Sequence, residues 1–182
     1  MSSPSERRVF ATEIRSREGR FVEGVAAPYD SETPIGSQYV EVLMRGLFNK
    51  SIREAALNLP LHIFHDTATY PVGKAVDWDD RSDGLYGVWE MDSSDEAKRA
   101  VEAAEKRMVG GLSVGFSPIQ SDVKPGDETT PTKVIRKEAR LVEVSMVSTP
   151  AYAGAVITLV RTAGPNIPRP HFDKWKKWAE RM

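Results

Sequence analysis

The chain has 182 residues and a mass of 20.2 kDa, enough for one domain, with or without a tail, to bury its own core. It has no cysteine, which excludes a thiol nucleophile, a thiolate zinc site, an iron–sulfur cluster and a disulfide framework. Its 25 basic and 26 acidic residues leave a net charge of −1, which is no footprint for a nucleic-acid binder. No stretch approaches the roughly 18 apolar residues of a membrane span, and the N-terminus lacks a signal-peptide core, so a soluble, cytoplasmic protein is expected.

The first half reads mainly as strands. Alternating or β-branched runs occur at RVFATEI (8–14), RFVEGVAAPY (20–29), QYVEVLM (38–44), LPLHIFH (59–65), VGKAVDW (72–78) and GLYGVWEM (84–91). Asp30-Ser31, the Thr33–Gly36 segment and the Arg81–Gly84 segment break the series. Short, regularly spaced strands predict a closed or strongly curved antiparallel sheet.

Two helices are expected to interrupt it. Residues 46–57 put Phe48, Ile52 and Ala55 on one face. Over 93–108, Ser93 and Glu96 form a capping-box pattern, Ala97, Ala100, Val101, Ala104 and Met108 recur at helical spacing, and Gly110 suits the stop. Strand-like GLSVGFSPI (111–119) follows, then a polar loop at 121–133 and strands at 134–147 and 155–160. From Ala163 the composition turns proline-rich and ends in HFDKWKKWAERM, either a frayed terminus or a short amphipathic docking segment.

Gly111-Leu112-Ser113-Val114-Gly115 matches the short G-x-S-x-G pattern of a nucleophile elbow. The context is wrong for an α/β-hydrolase, since a helix precedes the serine and a strand follows it. The local pattern by itself favours an incidental serine, although flanking glycines allow close approach to Ser113. His65 ends an apolar strand, where a general base can reach a cleft. His62 lies three residues earlier, so on one strand the two face opposite sides, and His62 reads as a packing residue. That parity also argues against a metal site in H-x-x-H-D. Alternation puts Leu141, Glu143, Ser145 and Val147 on one face. Glu143 there is either solvated at a sheet edge or paired, for instance with Arg140. Together His65, Ser113 and Glu143 have the residue types of a base, a nucleophile and an orienting acid.

With these residues in place, the sequence resembles the prohead (head-maturation) protease family of tailed bacteriophages. The matching features are the Gly24–Tyr29 segment, Arg45-Gly46-Leu47-Phe48, His65-Asp66 with Pro71-Val72-Gly73, the Gly111–Phe116 segment, and Leu141–Ser145 with Thr149-Pro150-Ala151. Their order across roughly residues 8–160 is far more specific than any one motif.

The resemblance implies an α+β, mainly β fold like that of herpesvirus assembly proteases, a closed antiparallel β-barrel surrounded by a few helices. It implies a protease domain over 1–162, with 163–182 a linker and tail. Ser113 carries over as nucleophile, His65 as base and Glu143 as third member, with no cofactor or metal. Backbone near Ser113 and the 148–154 segment become candidates for the oxyanion donors. The implied partners are the major capsid protein precursor with its scaffolding segment, and the chain itself through self-cleavage, inside the procapsid in the host cytoplasm. Self-association stays open, and neither nucleic acid nor a membrane is expected. Two other readings remain: a catalytically silent assembly protein keeping the fold, and an esterase with a closed acyl pocket.

Overall fold

The computed structural model describes residues 19–37, 39–55 and 59–163. The strand expected at 8–14 and the tail beyond Ala163 lie outside the described residues. In chain order the elements begin with β1 (Gly19–Pro28), β2 (Thr33–Ile35), β3 (Tyr39–Leu43), α1 (Asn49–Ala55), β4 (Pro60–Ile63) and β5 (Gly73–Asp80). They continue with β6 (Gly84–Met91), α2 (Asp95–Glu105), β7 (Gly111–Lys124), β8 (Lys133–Val147) and β9 (Ile157–Ala163).

The strands run β2-β3-β8-β4-β5-β6-β1-β9, with β7 added along the other side of β8. β5, β6 and β1 form an antiparallel meander, and β9 flanks β1. β8 is the spine of the other half. β7 runs antiparallel along its length, while its opposite edge is shared by two parallel partners, β3 at Lys133–Arg136 and β4 at Val144–Met146. The Thr33–Gly36 break contains the three-residue β2, an outer strand where Pro34 is tolerated.

The mainly β expectation holds, but a closed barrel does not. Among the described residues no ladder joins β9 to β7; the segment entering β9 touches β7 through the isolated bridge between Gly111 and Val156, supported by Leu112 N–H to Ala155 O at 3.1 Å and Ile157 N–H to Gly110 O at 3.0 Å. Beyond that point β9 pairs with β1, and β7 pairs with β8. Register shifts at Gly115/Phe116, Pro118/Gln120 and Gln120/Ser121 curl the β7–β8 ribbon. Pro118, which has no N–H to offer a second neighbour, suits a strand left open on one side.

Val22, Leu61, Leu85, Trp89, Leu112, Val144 and Met146 are buried in the core. Trp78 and Trp89 pack edge to face with centroids 5.3 Å apart. α1 starts at Asn49, later than its sequence pattern suggests, after a turn that delivers Phe48 against Phe116 at 5.7 Å. α2 buries Ala97, Ala100, Val101 and Ala104, as its spacing predicts. Its N-cap, however, is Ser94, whose Oγ accepts from Ala97 N–H at 3.1 Å, so the Ser93–Glu96 box does not form. Arg107 takes a left-handed φ of 56° and ends the helix before Gly110, leaving Met108 exposed.

Candidate active site

β7 and β8 hold two of the three singled-out residues in one register. Ser113 lies directly opposite Ser145, Gly115 opposite Glu143, and Gly111 opposite Val147. Residues directly across an antiparallel pair share a face. Leu112 and Val114, paired with Met146 and Val144, turn into the core on the other face. The two glycines of G-x-S-x-G thus flank Ser113 on its own face, and each makes room for a neighbour. A Cβ on Gly111 would lie 2.6 Å from the Pro150 ring, and one on Gly115 would overlap the Glu143 carboxylate.

Glu143 is only 4 % exposed. It is not solvated at an edge, because β8 is an interior strand with partners on both sides, and its carboxylate meets partners other than the exposed Arg140. A buried carboxylate without compensation costs several kcal/mol. Here each oxygen has its own partner: Oε1 lies 2.7 Å from His65 Nδ1, and Oε2 accepts from Ser145 Oγ at 2.7 Å.

His65 reaches that carboxylate because the strand before it stops early. β4 pairs Leu61, His62 and Ile63 with Val144, Ser145 and Met146. The next two residues, Phe64 and His65, take left-handed φ values of 51° and 61°. Each costs about 1–2 kcal/mol in a residue with a Cβ. The turn is held by Phe64 N–H to Met146 O at 3.1 Å, His65 N–H to Ser145 Oγ at 3.1 Å and Asp66 N–H to Ile63 O at 3.0 Å.

The parity argument separating His62 from His65 therefore fails, since it assumed an extended strand through residue 65. His62 stands in register with Ser145, and so in the same row as Ser113. It is buried, and its Nδ1 has no hydrogen-bond partner among the described residues. Ser113 is itself 4 % exposed, and no hydrogen bond joins its Oγ to the His65 ring among the described residues. The structure thus brings His65 and Glu143 into contact and sets Ser113 one strand away on the same face.

A model of the caudovirus prohead serine protease family matches residues 10–169. The chain belongs to that family. It is a serine peptidase, and a protease of phage capsid maturation. No curated protein matches this chain in sequence. Among solved structures it is similar to KSHV protease in complex with a hexapeptide phosphonate inhibitor, at 15 % identity and a TM-score of 0.47, over 90 % of this chain and 77 % of that one. It is also similar to Kaposi's sarcoma herpesvirus protease in complex with an allosteric inhibitor, at 15 % identity and a TM-score of 0.43, over 89 % and 90 % of the two chains.

Beside Ser113 runs the 148–154 segment, whose Pro150 rests on Gly111. Its anchor is Tyr152, a buried side chain whose hydroxyl donates to Glu41 Oε2. Glu41 Oε1 in turn accepts from Arg136 Nε at 2.5 Å, and Arg136 also donates to Ser121 Oγ at 3.2 Å and Tyr39 Oη at 3.4 Å. Burial works against the Arg136 charge, but the Glu41 carboxylate outweighs it and holds the guanidinium above its ordinary pKa. Burial, and then the bond to Glu41, push the Tyr152 hydroxyl well above the usual tyrosine range. Sequence alone singled out none of these three side chains, because Glu41 and Arg136 look like solvated charges on alternating strands. No helix among the described residues is long and apolar enough to cross a membrane, and no metal-capable cluster of three or more side chains gathers among them.

Proposed function

We propose that Ser113 is the nucleophile of this peptidase, His65 its general base and Glu143 the acid that orients the base. The observation that carries this reading is the 2.7 Å contact between His65 Nδ1 and Glu143 Oε1 on the face that Ser113 shares. A carboxylate can only accept, so Nδ1 carries the proton and Nε2 is the basic nitrogen. His65 Nε2 takes the Ser113 proton as Oγ attacks a peptide carbonyl, and Glu143 stabilises the imidazolium that forms. The same Nε2–H protonates the leaving amine. Water then attacks the acyl-enzyme, giving its proton to His65 and releasing the carboxylic acid with Ser113 restored. The oxyanion donors belong to the backbone beside Ser113 and to the 148–154 segment packed against it.

The substrate is an extended chain. Past Leu112 the outer side of β7 has no strand partner among the described residues, and a peptide can add there alongside Ser113. An open strand edge favours a polypeptide over the small acyl ester that a closed pocket would take. Within the procapsid the targets are the scaffolding portion of the major capsid protein and the enzyme's own chain.

The test is intact mass over time for wild type and Ser113→Ala, each alone and mixed with the cognate capsid precursor. Shortening of the precursor or of the enzyme by wild type, and of neither by Ser113→Ala, is expected. Equal cutting by both would remove Ser113 from the mechanism. No cutting by either would leave a silent assembly protein.

A further inference from the structure

Ser145 is 0 % exposed, and both functions of its hydroxyl are in use. Its one proton goes to Glu143 Oε2 at 2.7 Å, and its oxygen accepts the His65 backbone N–H at 3.1 Å. Donation and acceptance use different sites on a hydroxyl, so the two bonds do not compete. Each bond restrains something the chemistry depends on. Glu143 Oε1 already meets the His65 ring, and a second bond at Oε2 fixes the rotation of the carboxylate about its terminal torsion, which is otherwise broad. The bond to the His65 N–H secures the middle of the left-handed turn that aims the imidazole. Ser145 also lies directly opposite Ser113, so one oxygen ties together the strand beside the nucleophile, the acid and the base-bearing turn.

We infer that Ser145 is a positioning residue of this peptidase: it holds the Glu143 carboxylate and the His65 backbone in mutual register before substrate arrives. The inference rests on the roles proposed above for Ser113, His65 and Glu143. A serine that merely satisfied its own buried hydroxyl would affect stability alone. A positioning serine acts through Glu143, and its effect disappears once Glu143 can no longer orient the ring.

That difference is measurable without knowing the natural cleavage site. A fluorophosphonate probe reacts with an activated serine, forming a P–O bond with loss of fluoride, and its labelling rate reports how well the hydroxyl is activated. Full-length wild type, Ser113→Ala, Ser145→Ala, Glu143→Gln and the Ser145→Ala/Glu143→Gln double variant are labelled, with thermal melts run in parallel. Ser145→Ala is expected to label about 10- to 100-fold more slowly than wild type, the scale of a displaced catalytic group. In the Glu143→Gln background the same change is expected to cost no more than about threefold, because residues acting as a unit are not additive.

Wild-type and Ser113→Ala labelling at equal rates would sink the parent reading whatever Ser145 does. A slow Ser113→Ala beside an undiminished Ser145→Ala would overturn the Ser145 role alone. So would a full 10- to 100-fold effect persisting in the double variant. If Ser145→Ala melts below the assay temperature, Ser145→Cys replaces it, keeping the volume with a weaker donor. Wild-type labelling by that variant also overturns the inference.

Discussion

The carboxylate of Glu143 occupies the space over Gly115 that the Cβ of any other residue would fill. The two residues face each other across β7 and β8, and the missing side chain of one is the room taken by the charge of the other. The second glycine of G-x-S-x-G is thus a spatial requirement of the acid beside the serine.

Gly115→Ala is therefore expected to displace Glu143 from His65 and lower kcat by about 100-fold, with about 1–3 kcal/mol of overpacking cost to stability. Gly110→Ala is the control, because a Cβ there meets nothing nearer than Arg107 O at 4.0 Å. Steady-state kinetics on the capsid precursor decides the point, and similar kcat values for the two variants would contradict it.

Glu143→Gln keeps the shape of the side chain but replaces one accepting oxygen by a donor. In the proposed mechanism the imidazole then loses the group that keeps its proton on Nδ1. A fall in kcat of about 10³- to 10⁴-fold with KM changed only a few-fold is expected. A rise in KM with kcat intact would instead place Glu143 in substrate binding.

The Glu41–Arg136–Tyr152 cluster makes a prediction about stability. Glu41→Gln leaves the Arg136 charge without its buried partner and is expected to cost about 3–5 kcal/mol, while Tyr152→Phe should cost about 1–3 kcal/mol. Because burial and Glu41 raise the Tyr152 pKa in the folded state, the unfolded chain loses that proton first as pH rises. Stability should fall as pH climbs above the ordinary tyrosine value of about 10, and Tyr152→Phe should make the fall shallower. Urea midpoints measured from about pH 8 to about pH 11 would show it.

At the start of α2, Ser94→Ala should cost about 0.5–2 kcal/mol, since it removes the bond to Ala97 N–H. Ser93→Ala should change stability by less than about 0.5 kcal/mol. Thermal melts of the two variants separate the observed cap from the one its sequence pattern suggests.

Period-two alternation located β6 to the residue and β8 to within one, because a strand with a buried face must repeat apolar residues every second position. The same alternation put Ser145 on the face of Glu143. It assigned the serine no role, since a same-face neighbour two residues away is not by itself a contact. Period counting also misjudged the histidines. It carries information only while the backbone stays extended, and nothing in the residue types of Phe64 and His65 announces a left-handed turn.

The amino-acid sequence was sufficient for the strand-rich character, the alanine face of α2, the ordered motifs that the family shares, and the three residue types suited to acyl transfer. Those are local or collinear properties, set by spacing along one chain. Tertiary structure alone decided that the sheet stays open, that Glu143 meets His65 and Ser145 rather than Arg140 or solvent, and that Glu41, Arg136 and Tyr152 anchor the segment beside Ser113. Apart from the Glu143–Ser145 bond, which spans two positions, these contacts depend on which strands become neighbours, and so on pairings between residues about 80 to 110 positions apart that no local pattern encodes.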